Sequence, residues 1–598
     1  MEGFLFPALI AYCLVLPNIH FPALASQTVI PREIFIYLFS IVFVVTIARS
    51  NAIKLNGFYL AALSFCLWQL ITLSWSSDTN TGQEELLNYY FFLFSSFIFF
   101  QIDESRKKSA LFAAIVFSVS LSCLIGIWQN FNWNPLQLYQ GAAPSSTYVN
   151  KDLAASAALL FLPLSLALLL SSEKRSRKLL FFTSSFLILS YILVSHTKGV
   201  WLAGIILFAC AGLAFYFSGS RQRCSQYLAD SKSYVISIVA VSLLIFSLPG
   251  VRNIEPTTAD QYSITSASAS IRMGFYRDAL QLVAEHPIAG IGTGSFRREF
   301  RSRPGGTYQA QHAQQDMYLT RLHNDHLQYL IEQGLPGFLL WLSMIYLFIR
   351  TIGSYLKDES ALPKERLIAF SLFLGIAGMA IHAIFFFPLR NAATGSLFWL
   401  AIGLALSYCV RSAGNREIIL TPLKRYLLIP LLLLITLFSV HYITKQAIGS
   451  YLLKQASESI SKSYCFAAKT FANNSVEAAD MDIPKAHVLS LIYDICPSDT
   501  ATEANQAMER ILAFEPNHSR ALLIKGDIAY KTGDNLTAAR LYEETLRVNP
   551  ASIRAYLGLA RIHHEAHRDE SALLMAERAL EIDGSNQAAR EFLDSLQR

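Results

Sequence analysis

The stretch His323-Asn324-Asp325-His326-Leu327-Gln328-Tyr329-Leu330-Ile331-Glu332-Gln333-Gly334-Leu335-Pro336-Gly337 runs directly into an apolar segment, Phe338 to Ile349. Two histidines and an acid therefore stand at the edge of a segment suited to a lipid bilayer. Ionisable groups are costly there, and they mark functional sites. Before this stretch come apolar runs joined by short loops and one long polar segment. After it come four apolar runs, counting its own, and a polar tail.

The whole chain follows the same pattern. Its 598 residues are 53% apolar and only 15% charged, with a mean hydropathy of +0.37. Charge falls in this way when lipid replaces water as the solvent. Thirteen apolar runs approach the length needed to cross a bilayer: 3–17, 33–48, 57–74, 87–101, 109–128, 152–171, 179–196, 199–218, 234–249, 335–350, 367–387, 395–410 and 426–443. The first lacks the charged start of a signal peptide and is read as a span.

Loop charge sets the orientation. Alternate loops carry Arg49 and Lys54, then Arg106, Lys107 and Lys108, then Lys174, Arg175, Arg177 and Lys178, and the pattern continues through Arg221, Lys232, Lys357, Lys364, Arg416 and Lys424. Of the intervening loops, 75–86 has no Lys or Arg and 388–394 has only Arg390. Basic loops stay cytoplasmic, so the N-terminus is expected inside, with loop 250–334 and the tail from 444 outside. The expected division is 1–249 (nine spans), 250–334 (a large outer loop with the reacting groups), 335–443 (four spans) and 444–598 (an outer helical domain). In that outer domain Cys465 and Cys496 are candidates for a disulfide.

The outer segments hold the chemistry. Loop 250–334 contains eight arginines (252, 272, 277, 297, 298, 301, 303 and 321), no lysine, and eight acids that balance them. This is not a patch for nucleic acid. Arginine suits bidentate contact with phosphate or carboxylate. Within it, 270–283 reads as an amphipathic helix with Phe275, Ala279, Leu282 and Val283 on one face. Gly290, Gly292 and Gly294 are too weak a signal for nucleotide binding and read as a turn where backbones approach closely. Lys198 lies in an outer turn against the positive-inside trend. It needs an acidic partner, an anionic ligand or the phosphates of membrane lipids. Asn150 is placed to cap a helix, and His382 is an imidazole inside a span.

The tail repeats at 34 residues. Pro516, Pro550 and Gly584 close successive units, and Gly526/Ala560, Ala538/Ala572 and Thr545/Ala579 fill matching slots, with Tyr542 a large one. That is the period of tetratricopeptide repeats, clearest over 519–586, which stack into a solenoid with a protein-binding face. The expected fold class is all-α: a polytopic membrane protein of about thirteen transmembrane helices with a C-terminal α-solenoid.

Four segments in order resemble the O-antigen ligase superfamily: Tyr148-Val-Asn150-Lys-Asp-Leu-Ala, Thr197-Lys198-Gly199-Val-Trp201-Leu (Lys where the family has Arg), Arg272 through Gly290-Ile-Gly-x-Gly-x-Phe296, and His323-Asn-x-x-Leu327 through Glu332-x-Gly334-Leu-x-Gly337. The resemblance implies a glycosyltransferase of the bacterial inner membrane. It would move a glycan from undecaprenyl diphosphate to a hydroxyl, in one inverting step, outside the cytoplasm and without metal, nucleotide or other cofactor. The repeat-bearing tail is most similar to the protein O-oligosaccharyltransferases, whose acceptors are Ser or Thr of proteins such as pilins. An O-antigen ligase acting on lipid A core and a polysaccharide polymerase are the alternatives, with a transporter or an assembly scaffold more distant. On this reading His323 is the general base. Arg272 and Lys198 hold the diphosphate, helped by Arg277 and Arg390. Asn324, His326, Glu332, Asn150 and His382 give support.

Overall fold

The computed structural model describes residues 2–27, 29–138, 143–217, 221–248, 269–302, 321–411, 416–496 and 501–596. Numbered in chain order, its helices are α1 (Glu2–Val15), α2 (Val29–Arg49), α3 (Gly57–Thr72), α4 (Thr79–Phe100), α5 (Ser105–Asn130), α6 (Lys151–Leu170), α7 (Arg175–Val194), α8 (Lys198–Phe217), α9 (Arg221–Ser247), α10 (Ala269–Glu285), α11 (Phe296–Ser302), α12 (Asp325–Lys357), α13 (Pro363–His382), α14 (Ala392–Leu406) and α15 (Pro422–Ser461). The tail adds α16 (Cys465–Ala479), α17 (Ile483–Ile495), α18 (Ala501–Phe514), α19 (Ser519–Lys531), α20 (Asn535–Val548), α21 (Ile553–Glu565), α22 (Asp569–Ile582) and α23 (Gln587–Leu596). Among the described residues the protein is all-α apart from one pair of short strands.

Every one of the thirteen apolar runs coincides with one of these helices. Among the described residues, nine are long and apolar enough to cross a membrane, and α1, α8 and α9 carry shorter apolar stretches. A helix satisfies its own backbone in lipid, which is why apolar runs of this length fold this way. At the ends, side chains take over: Asn56, Asp78, Asn150, Asn324 and Asn391 each accept a hydrogen bond from a free N–H of the first turn. At the centre of the bundle α14 is buried along its whole length and α6 along most of it. Helices approach closely here through small residues: a Cβ on Gly375 of α13 would strike the Leu160 carbonyl of α6.

The loops group into two faces. On one, β1 (Ala52–Leu55) pairs antiparallel with β2 (Arg416–Ile419), in register Ala52 with Ile419 and Leu55 with Arg416. Lys54 also pairs with Asp103, and Ser105 Oγ donates to Glu365 at 2.8 Å. All of these loops belong to the basic set. On the other face, the 76–85 segment meets Arg297, Arg321 and Arg390.

Helix α15 joins the membrane part to the tail. Its 40 residues span about 60 Å at 1.5 Å per residue, so it rises far past the apolar run that ends at 443. Its C-terminal half contributes Ala456 to a second core with α16–α19. Cys465 and Cys496 form a disulfide with Cα atoms 5.5 Å apart. Helices α19/α20 and α21/α22 are the two 34-residue units. Tyr542 fills the space left by Gly526 and Gly558, on the helices either side of it.

Candidate active site

The His323–Gly337 stretch is helical over most of its length. Helix α12 already starts at Asp325 and breaks at Gly334, where φ is 61°. That break is a splice. Ile291 N donates to Ile331 O and Gly292 N to Glu332 O, both at 3.0 Å, and Leu335 N donates to Pro287 O at 3.0 Å. A Cβ on Gly290 would lie 2.5 Å from Glu332 O, and one on Gly334 would overlap Ile288 O. The glycine turn of the large loop therefore exists to lie against the helix break. The apolar face of α10 (Phe275, Ala279, Leu282) closes over it with Phe296, Phe300, Leu322 and Ile331.

Two residues before α12, His323 takes a left-handed backbone, φ 60°, uncommon for a residue with a side chain. Asn324 then caps the helix, its Oδ1 accepting from Leu327 N at 2.9 Å. Tyr276 Oη of α10 donates to the His323 carbonyl at 2.9 Å. The imidazole is buried at 5% exposure, packs against Phe386 and Phe387, and leaves Nδ1 without a hydrogen-bond partner. Burial, and then the charge of Arg272, push its pKa down to about 3. The ring is therefore neutral at ordinary pH.

The other polar residues of the stretch are occupied. Trp341 Nε1, which can only donate, gives its proton to His326 Nδ1 at 3.0 Å, so His326 Nε2 carries a proton and donates to Ala380 O at 2.9 Å. Glu332 accepts from Gln328 Nε2 at 3.1 Å and from Arg390 Nη1 at 2.6 Å. Arg390 also reaches Glu85 at 2.7 Å, lies 3.9 Å from Asp325, and stacks over Tyr329. Glu85 in turn pairs with Arg321. Burial opposes the charge on Arg390, but Glu332 and Glu85 outweigh it and hold its pKa above the usual value. Expected at a diphosphate site, Arg390 is instead turned inward and bound by carboxylates. Arg277 is 77% exposed on α10, beside Asp278. Arg252 and Arg303 lie outside the described residues, as does the side chain of Arg301.

A different group of polar residues gathers round Arg272. Arg272 Nη1 donates to Phe385 O at 3.2 Å, and its charge reaches His323, His382 and Asp152. His382 bonds Ser156 Oγ at 2.8 Å and stacks on Phe386, which also touches His323. It packs onto Gly199, where a Cβ would fall 2.8 Å from the ring. Asp152 accepts from Thr197 Oγ1 at 2.9 Å and has its own N–H capped by Asn150 at 2.7 Å. Lys198, the first residue of α8, is exposed and makes no ion pair among the described residues. Arg272, His323, His382, Asp152 and Lys198 thus meet where α6 and α8 begin and α13 ends.

Farther along, an apolar groove runs between the same three helices, lined by Leu159, Pro163, Gly204, Phe208, Phe370 and Leu374 among others. Leu159 is seven residues from Asp152 and Leu374 eight from His382, so the groove starts about 10 Å from the polar cluster. Sequence reasoning gave Asp152, Thr197 and Tyr276 no place in the site and missed the Glu85–Arg390 pair. Asp152 had a signal, an ionisable side chain in the first turn of an apolar helix. Glu85 and Arg390, 305 residues apart, had none.

Residues 183–342 match the family model described as O-Antigen ligase. The matched segment contains Lys198, Arg272, Arg277, His323, His326 and Glu332, and it supports the O-antigen ligase superfamily for the membrane part. Asn150, His382 and Arg390 lie beyond it. Comparison with curated proteins finds no match. Among solved structures, a thermophilic TPR protein of Thermus thermophilus aligns at 16% identity and a TM-score of 0.22, over 29% of this chain and 96% of that one. The APC/C hetero-tetramer Cut9–Hcn1 aligns at 12% identity and a TM-score of 0.24, over 94% of this chain and 90% of that one. Neither superposition is close enough to establish a shared fold.

Proposed function

We propose that the protein transfers an oligosaccharide from a polyprenyl diphosphate, of the undecaprenyl class, to a hydroxyl group on the outer face of the bacterial inner membrane. The observation that carries this reading is the apolar groove between α6, α8 and α13, whose near end lies about 10 Å along those helices from the cluster of Arg272, Lys198 and His323. A molecule with a long apolar chain and an anionic head fits both parts at once. The O-antigen ligase match, which contains all three residues, supports the same chemistry.

The reaction assigns each group a task. The diphosphate sits against Arg272 and Lys198, which stabilise the charge that grows as the anomeric C–O bond breaks. The acceptor oxygen attacks the anomeric carbon from the opposite side, with inversion. His323 Nδ1 receives the hydroxyl proton, and the electron pair of the broken bond leaves on the diphosphate. In the free enzyme His323 is a weak base because it is buried and Arg272 faces it. A bound diphosphate cancels the charge of Arg272 and raises the proton affinity of the ring as catalysis begins. Arg390, Glu332 and Glu85 hold the start of α12 in place rather than touching the donor, and His326 ties α12 to α13. The acceptor is a protein hydroxyl, as the repeat-bearing tail suggests. Lipid A core and a growing glycan are the alternatives.

The test uses the full chain in lipid nanodiscs with a polyprenyl-diphosphate oligosaccharide. His323→Ala and Arg272→Ala should each abolish transfer, by at least a hundredfold, while the protein still inserts and elutes as the wild type does. Normal transfer by the His323→Ala protein would overturn the mechanism.

A further inference from the structure

We infer that the cleft between the tail and the membrane part binds the acceptor, and that it is built for an extended, uncharged polypeptide segment. This rests on the transfer reaction proposed above and names its second substrate. The cleft has Ala25, Ser26, Gln27, Val29 and Ile30 on one side, α15 and the start of α17 on the other, and 148–153 with Asn391 as its floor.

Its walls are fixed relative to each other. Ala25 N donates to Ser450 O at 3.2 Å, Ser26 N donates to Ser450 Oγ at 3.0 Å, and Lys454 Nζ bonds Pro22 O. The cleft is therefore a permanent feature rather than a gap between loosely joined parts. Four carboxamides line it: Gln27, Asn150, Asn391 and Gln446. Asn150 and Asn391 spend their oxygens on helix caps, which orients each amide, and neither Nδ2 has a partner among the described residues. Gln27 and Gln446 make no side-chain hydrogen bond within the described chain. The two charged residues, Asp482 and Lys485, are paired with each other.

Unspent amides recognise peptide groups, because each offers a matching donor or acceptor. A phosphorylated lipid or core sugar needs arginine or lysine, and the lysine here is already paired. A neutral glycan would favour an open aromatic face, but the Tyr148 ring is buried and covered by Arg32 at 4.7 Å. Apart from Ser26 and Ser450, which bond each other, the remaining lining is mostly aliphatic, including Val29, Val149 and Leu453, which suits small side chains. The cleft also borders the start of α6, which carries Asp152 of the candidate site. Asn150 and Leu153 line it, and Asp152 on the same turn bonds Thr197 next to Lys198.

The test measures both binding and transfer with the full chain in nanodiscs. The probe is a fluorescent 20-residue peptide of Ala, Gly, Ser and Thr, and the competitor is phosphorylated core oligosaccharide. Two variants are used: Gln446→Trp, which fills the cleft, and Gln446→Arg, which keeps an amphipathic side chain there but adds charge. Each should weaken peptide binding and lower transfer to the peptide at least tenfold, while affinity for the polyprenyl diphosphate stays within twofold of wild type. Peptide binding within twofold of wild type in both variants, or equal competition by the phosphorylated oligosaccharide, would overturn the assignment. If the wild type binds peptide in the cleft but transfers nothing to any acceptor, the transfer reaction fails and this inference fails with it as an acceptor site. If the wild type transfers and both variants transfer equally well, only the cleft assignment fails.

Discussion

At the scale of single residues, two arginines that look alike in sequence do opposite work. Arg272 lies near His323, His382 and Asp152 and donates to the Phe385 carbonyl, whereas Arg390 is 1% exposed and bound by Glu85 and Glu332. Removing one partner of a buried ion network leaves the others uncompensated and costs roughly 3–5 kcal/mol. Arg390→Gln should therefore lower the melting temperature and yield of the purified protein sharply. Arg272→Ala should leave both near wild type and remove only transfer. Thermal unfolding followed by tryptophan fluorescence separates the two. His323 adds a pH effect with a definite sign. Its pKa falls from an ordinary 6.5 when unfolded to about 3 when folded, so folding favours the neutral ring. The stability this brings is full above pH 6.5 and is lost as pH falls through that value toward 3. His323→Phe, which cannot take up a proton, should flatten the acid limb of a stability–pH curve measured between about pH 7 and 4. An unchanged limb would count against the burial of this imidazole.

At the scale of elements, the helix break at Gly334 and the glycine turn at 290–294 form one unit. Gly334→Ala adds a Cβ that overlaps the Ile288 carbonyl and asks a side-chain residue to hold φ 61°. It should open the splice, seen as faster amide exchange across 286–292 and 331–335. Gly353→Ala, in the same helix with nothing within 4 Å of the new Cβ, is the matched control and should change neither. This level also shows what the sequence could reveal. Apolar runs located every helix of the membrane part because lipid demands them. They did not locate the starts of α4 and α12 or the upper half of α15, since a helix leaving lipid continues with polar residues that carry no such mark. His323, Arg272 and Lys198 were legible because ionisable groups stand out at a bilayer edge. The roles of Arg390 and His326 were not, because their partners Glu85, Glu332, Trp341 and Ala380 come from separate parts of the chain.

At the scale of the whole molecule, the tail is held to the membrane part through one helix, and its placement decides whether the cleft exists. Along α15, Gly449 is a point of close approach: a Cβ there would lie 2.6 Å from the Ala479 Cβ of α16, and Ser475 Oγ donates to Gly449 O at 2.7 Å. The next residue, Ser450, carries the bonds to the 25–26 loop. Packing on both sides of α15 thus passes through two adjacent positions. Gly449→Leu adds a side chain where a single carbon already collides, so α16 must move away and Lys485, 3.3 Å from that Cβ, must move with it. The repeats beyond α18 hold together through contacts between neighbouring helices and should stay folded. The membrane bundle, with its own core, should also stay intact. The expected result is a protein that inserts normally but is cut by protease between α15 and α16, releasing a folded tail fragment that the wild type does not release. Transfer should fall in step with that release if the cleft receives the acceptor, while binding of the polyprenyl diphosphate, which depends on α6, α8 and α13, persists. A variant that releases the tail yet transfers at the wild-type rate would show that the placement of the tail serves stability alone.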